Sequence, residues 1–237
     1  MRNKYFGDIR DLFKFDLALW IASSTFKRMT YVPMLTKPDR KKHTGKYDYE
    51  TARAGWQNHE LIRLLRACVI GMDGHSKDIR EIVPYFQANG IEIAAYKDDD
   101  HLTVKSRYTY WDDLAATMLP DSLVLVDPNT GMENSNPTED HLLHTELEAL
   151  LGGLTENSIL MLYQHFPMFF SHEKFLASRS DDLNKCVGHS PLYITDNEII
   201  FFFMARSAES EARVKGPLGH YNERYPRLAT NCVGSTL

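Results

Sequence analysis

Two apolar runs in this 237-residue chain stop abruptly at groups that can bind or react. Leu123-Val-Leu-Val126 ends in Asp127-Pro128-Asn129, with Glu133 close behind, and Ile159-Leu-Met-Leu-Tyr163 ends in Gln164-His165. A carboxylate at a sharp turn, beside a proline carbonyl and a side-chain amide, can hold an amino group by hydrogen bonds. The same carboxylate with Glu133 can instead offer oxygens to Mg2+ or Mn2+, with His165 as base, which is the donor set of a metal-dependent hydrolase or nuclease. A third polar cluster, Asp8, Asp11 and Lys14, has the spacing of neighbours at the start of a helix. It reads either as a cap with an i,i+3 ion pair or as a polar helix end presented to a ligand. His141 and His144 can reach one metal ion, yet no third ligand accompanies them.

The elements around these groups follow from pattern. Leu123–Val126 is short, β-branched at alternate positions and bounded by turn formers, as in a strand buried on both faces of a parallel sheet. Pro128 has no N–H to extend a ladder, so the strand ends there. Asp8 is a good N-cap for a helix running through Ile9, Leu12, Phe13, Asp16, Leu17 and Trp20. A first strand is expected at Met29–Leu35, then a long polar loop, Thr36 to Asp48. Helices are expected over 49–69, over 76–86 with Pro84 kinking or ending it, and over 108–119. Another should open at Asn136-Pro137 and close at Gly152-Gly153. Ile91–Tyr96 reads as a strand and Ser171–Leu183 as a helix. Pro191–Thr195 and Ile199–Met204 form a closing hairpin. Strands alternating with helices give an α/β fold: a three-layer sandwich on a mostly parallel sheet with a C-terminal antiparallel hairpin. Residues 1–206 are expected to form one domain and 207–237, with Gly216-Pro217, a polar and loosely docked tail.

Composition narrows the class. Hydrophobic residues make up 43% and charged residues 25%, ordinary for a globular chain, and the net charge of −5 gives no global basic field. Lys37-Pro-Asp-Arg-Lys-Lys-His43 is the one local basic run and reads as a solvated loop. Three dispersed cysteines give no disulfide framework and no Cys-x-x-Cys site. No apolar leader or membrane-length stretch is present, so a cytoplasmic location is expected.

Tyr5-Phe-Gly-Asp-Ile-Arg-Asp-Leu-Phe-Lys-Phe-Asp16, Tyr31-Val-Pro-Met-Leu-Thr36, Val126-Asp-Pro-Asn-Thr-Gly-Met-Glu133 and Tyr163-Gln-His165 together resemble an uncharacterised microbial family. Its pieces are GD-x-x-D-x-x-K-[YF], DPD-x-G-[LI]-E and YQH. More distantly, their order is similar to that in Rossmann-fold methyltransferases that modify adenine N6 in large-subunit ribosomal RNA. There GN-x-x-D-x-x-K-H precedes the first strand and DPPY ends a later one. That resemblance implies a Rossmann-like fold, S-adenosylmethionine as cofactor and a nucleic acid or nucleotide-like substrate. Asp127, Pro128 and Asn129 would then grip the reacting amino group, with Gln164 and His165 orienting the target. Asp8, Asp11 and Lys14 would face the polar end of the cofactor. Two departures stand out. Asn129 and Thr130 replace the second proline and the aromatic of DPPY, removing the ring that stacks on a flipped base. No glycine-rich loop follows the first strand. Whichever chemistry applies, the two strand ends and the N-terminal helix are expected to meet in one cleft.

Overall fold

The computed structural model describes residues 1–38, 45–167 and 170–232. Most of the basic run at 37–43 therefore lies outside the described residues. In chain order the elements are α1 (Ile9–Ile21), β1 (Arg28–Val32), α2 (His59–Ile70), α3 (Ile82–Ala88), β2 (Glu92–Ala95), α4 (Arg107–Tyr110) and α5 (Leu114–Thr117). Then come β3 (Leu123–Val126), β4 (Gly131–Met132), β5 (His141–Leu142), α6 (His144–Gly153), β6 (Ile159–His165) and α7 (His172–Val187). The chain closes with β7 (Leu192–Thr195), β8 (Ile199–Met204), α8 (Ala208–Arg224) and β9 (Ala229–Thr230).

Seven strands form one sheet in the order β2-β1-β3-β6-β8-β7-β9, and β4 and β5 pair separately. β2, β1, β3 and β6 are mutually parallel, while β8 inserts antiparallel between β6 and β7 and β9 pairs antiparallel with β7. Alternate strand residues point to opposite faces, as the pleat requires. Tyr31, Leu123, Leu125, Met161 and Phe201 pack under α1, α2, α3 and α8, whereas Val32, Val124, Val126, Leu162 and Phe202 pack against α5, α6 and α7. The three-layer α/β sandwich is therefore present, with a sheet that is mostly parallel and a C-terminal antiparallel hairpin. Among the described residues, no helix is long and apolar enough to cross a membrane.

Several boundaries differ from expectation for local reasons. The helix over 49–69 is a single 3-10 turn, a stretch of bends and a turn, and then α2, which starts only where Asn58 accepts the Leu61 N–H at 3.1 Å. Pro84 neither kinks nor ends α3, because it sits in the first turn, where a missing N–H costs no helical bond. Residues 108–119 break into the two single turns α4 and α5. Asn136-Pro137 does not open a helix: α6 begins at His144, and the preceding residues bend to form the β4–β5 pair.

The largest difference is at the C-terminal end. Residues from 208 to 224 are not a loose tail but the helix α8, with Val214, Leu218 and Tyr221 fully buried against α1. The Tyr221 hydroxyl donates to Asp16 Oδ2 at 2.8 Å, and the Trp20 indole donates to the Pro217 carbonyl at 2.9 Å. Sequence composition misled here because the apolar stripe is sparse and set among charges.

Candidate functional site

The chain passes from β1 to β2 on one side of the sheet, then crosses to β3 on the other. Neighbouring strands β1 and β3 thus send their following loops apart, which opens a crevice at their carboxyl ends. α1 packs on one face of the sheet and brings its N-terminal turns to that edge. Asp8 caps it by accepting the Arg10 N–H at 2.9 Å and the Asp11 N–H at 3.2 Å through Oδ1. That cap fixes the rotation of the first turns and points Asp11 and Lys14 to one side.

Lys14 is the centre of the site. Its ammonium, 2% exposed, lies 2.6 Å from Asp11 Oδ1 and 2.6 Å from Asp127 Oδ2, so one buried cation joins α1 to the end of β3. The Tyr31 hydroxyl donates to the same Asp127 oxygen at 2.9 Å. Asp11 Oδ2 accepts the Gly7 N–H at 2.9 Å. Burial opposes a charge on Lys14, but Asp11 and Asp127 outweigh it and raise its pKa. The ammonium therefore stays charged. Burial, with Asp11 adding repulsion, pushes the Asp8 carboxyl up to about 7. Burial and the neighbouring Asp127 carboxylate raise Tyr31 well above its usual value, so it remains a phenol and a donor.

The charged groups of this cluster border a cavity of about 390 Å3, within the range of small-ligand sites. Asp8, Asp11, Lys14, Asp127, Pro128, Asn129 and His165 all line it. Tyr5 and Tyr163 add aromatic surface, and Arg10 and Lys46 add positive charge, both bonded to Glu198. Tyr31, Tyr163 and Arg10 lie within the quoted motif segments, but none of them was assigned a role from sequence.

Gln164 and Glu133 do not line the cavity. The Gln164 amide accepts the Met132 N–H at 2.8 Å and donates to the Thr130 carbonyl at 3.1 Å, so it clamps the turn that carries Asp127. This clamp explains Gly131, whose φ is +115° and where any Cβ would collide with the Gln164 amide. Glu133 Oε1 accepts the His144 N–H at 2.6 Å and so satisfies the first turn of α6. Asp127 and Glu133 are thus not brought together as a metal pair. Burial, reinforced by Arg10, lowers His165 to about 4, so at neutral pH it is an uncharged imidazole and a weak base. His141 bonds to Thr138 and Asn134, and His144 faces Glu133, so neither is set up as half of a metal pair.

Among the described residues, those that directly follow β1 form no exposed cradle. Val32, Met34, Leu35 and Thr36 are all buried, and the Leu102 N–H donates to the Leu35 carbonyl at 2.6 Å. Compared with family models, curated proteins and solved structures, the chain matches none.

Proposed function

We propose that the cavity over β3 and β6 is the substrate site of a methyltransferase-like protein acting on an amino group of a nucleic acid or nucleotide-like molecule. One observation carries this reading: the Asp127-Pro128-Asn129 turn follows a central parallel strand, and a buried lysine from the N-terminal helix holds its carboxylate in place. A carboxylate held by Lys14 and Tyr31 meets an incoming N–H with little reorganisation. The substrate amino group would donate to Asp127 and to the Pro128 carbonyl, with the Asn129 amide at its edge. Arg10 and Lys46 at the rim suit a phosphate. Tyr5 and Tyr163 offer faces for a planar ring.

S-adenosylmethionine is the methyl donor that the resemblance implies, but a sequence with no glycine-rich loop after β1 and with Val32, Met34, Leu35 and Thr36 buried there does not fit it. We derive no step through it. The same mismatch favours a second reading, a Rossmann-like binding subunit that holds a nucleotide-like ligand without cofactor chemistry. A hydrolase using Mg2+ or Mn2+ gains less support, because Glu133 is bonded to α6 and His165 is a weak base.

Titration calorimetry at about 100 µM protein, a level that detects weak sites, separates these readings. Saturable heat with S-adenosylmethionine or S-adenosylhomocysteine supports methyl transfer. Heat with adenosine monophosphate alone, abolished in Asp127→Ala, supports the binding subunit. Silence with all three overturns both, and thermal stabilisation by Mg2+ or Mn2+ that vanishes in Asp127→Asn would restore the hydrolase.

A further inference from the structure

Outside the residues that line the cavity, three side chains of different chemistry converge. Cys68 lies in the last turn of α2, His75 follows the turn at 71–74, and Glu81 ends the single 3-10 turn before α3. The Cys68 sulfur, a His75 ring nitrogen and a Glu81 oxygen all lie within 4.8 Å of one another. We infer that Cys68, His75 and Glu81 form a site for a zinc-like divalent cation that ties α2 to α3.

The donor set decides the class of ion. One thiolate, one imidazole and one carboxylate suit Zn2+ or Co2+, whereas Ca2+ and Mg2+ require oxygen ligands throughout. Tetrahedral zinc with these atoms places its ligands roughly 3.3–3.7 Å apart, given bonds of about 2.0–2.3 Å. His75 Nδ1 already lies 2.7 Å from Glu81 Oε2, so closing on a cation requires only small side-chain rotations. Supporting bonds orient the set. Glu81 Oε1 accepts the Ser76 backbone N–H at 3.2 Å, and the His75 backbone N–H donates to the Met72 carbonyl at 2.9 Å, which fixes the turn that carries the ring. A bond such as that to Glu81 orients a ligating carboxylate. Cys68 is buried, while the His75 and Glu81 side chains are 35% and 22% exposed, which gives a cation a way in and leaves a fourth position to water. Binding forms a metal–sulfur bond and breaks the S–H bond, and the proton leaves to buffer.

The test uses the full chain, stripped of metal and titrated with Co2+ alone. One equivalent should produce visible d–d bands and a near-ultraviolet thiolate-to-cobalt band, both bleached by Zn2+. The thiolate band should vanish in Cys68→Ser and persist in Cys186→Ser and Cys232→Ser. Because Cys68 is buried and its variant can fail to fold, His75→Ala and Glu81→Gln carry the same question. Each, with its folding checked by circular dichroism, should bind Co2+ at least about tenfold more weakly. No thiolate band at one equivalent, a band that survives Cys68→Ser, or unchanged affinity in folded His75→Ala or Glu81→Gln would overturn the site. None of these results depends on what the cavity binds.

Discussion

Lys14 keeps two carboxylates together that would otherwise repel in a dry setting. Removing only the cation leaves Asp11 and Asp127 buried and unpaired, which typically costs about 3–5 kcal/mol. Lys14→Met should therefore lower the melting temperature sharply. Adding Asp127→Asn relieves part of the repulsion, so the double variant should lose less than the two single losses combined. Additive losses would mean that the 2.6 Å contact does not form in solution. Asp8 makes a second, pH-dependent prediction. Burial and Asp11 raise its folded pKa from 3.8 to about 7, so the folded chain binds that proton more tightly than the unfolded chain. The resulting stability is full below the unfolded value and is lost as pH rises through about 7. Asp8→Asn keeps a good N-cap but has no proton to lose. Between pH 5 and pH 8 the wild-type chain should lose stability relative to Asp8→Asn by on the order of 2 kcal/mol. Parallel denaturant curves for the two proteins across that range would contradict the raised pKa.

At the scale of elements, the site depends on how β6 secures the turn after β3. Gln164 binds backbone groups on both sides of Gly131, so Gln164→Leu leaves the Met132 N–H and the Thr130 carbonyl without this partner. That loss should cost about 1–3 kcal/mol. Hydrogen exchange at the Met132 amide should accelerate more than at amides in the middle of β3, and equal acceleration would indicate a global effect instead. The two strand ends were legible in the sequence because an apolar run that stops at polar groups marks the carboxyl edge of a parallel sheet. Which polar groups face the ligand was not legible. Gln164 and His165 are adjacent in sequence, yet one bonds to backbone and the other lines the cavity. Glu133 had the spacing of a metal ligand, but the turn from β5 into α6 presents a free helix N–H at the same place, and hydrogen bonding to it claims the carboxylate. Cys68, His75 and Glu81 escaped notice because their spacing matches no single helix or strand, and only the turn at 71–74 brings them together.

At the scale of the whole molecule, α1 packs against both the sheet and α8, and the order of the site depends on both. The sheet was readable from alternation alone, since its core strands are unbroken apolar runs. α8 was not, because Gly216-Pro217 suggested a break and the buried positions Val214, Leu218, Tyr221 and Tyr225 are separated by polar residues. Their spacing of four, three and four is nevertheless that of one helical face. Phe13 of α1 packs edge-on to Phe201 of the sheet, with centroids 5.0 Å apart, and lies parallel to Tyr221 of α8 at 6.2 Å. Asp16, two residues beyond Lys14, is bonded to Tyr221 from α8 and to Asn58 at the start of α2. A chain truncated after Arg206 would expose this face of α1 and leave Asp16 without its α8 partner. It should lose its cooperative thermal transition and bind a hydrophobic dye. Tyr221→Phe isolates the polar part: it keeps the ring against Phe13 but removes one donor to a buried carboxylate, at a cost of about 1–3 kcal/mol. If the truncated chain unfolds as cooperatively, and at the same temperature, as the full one, then α8 does not support α1, and the buried Lys14 triad must be stable without it.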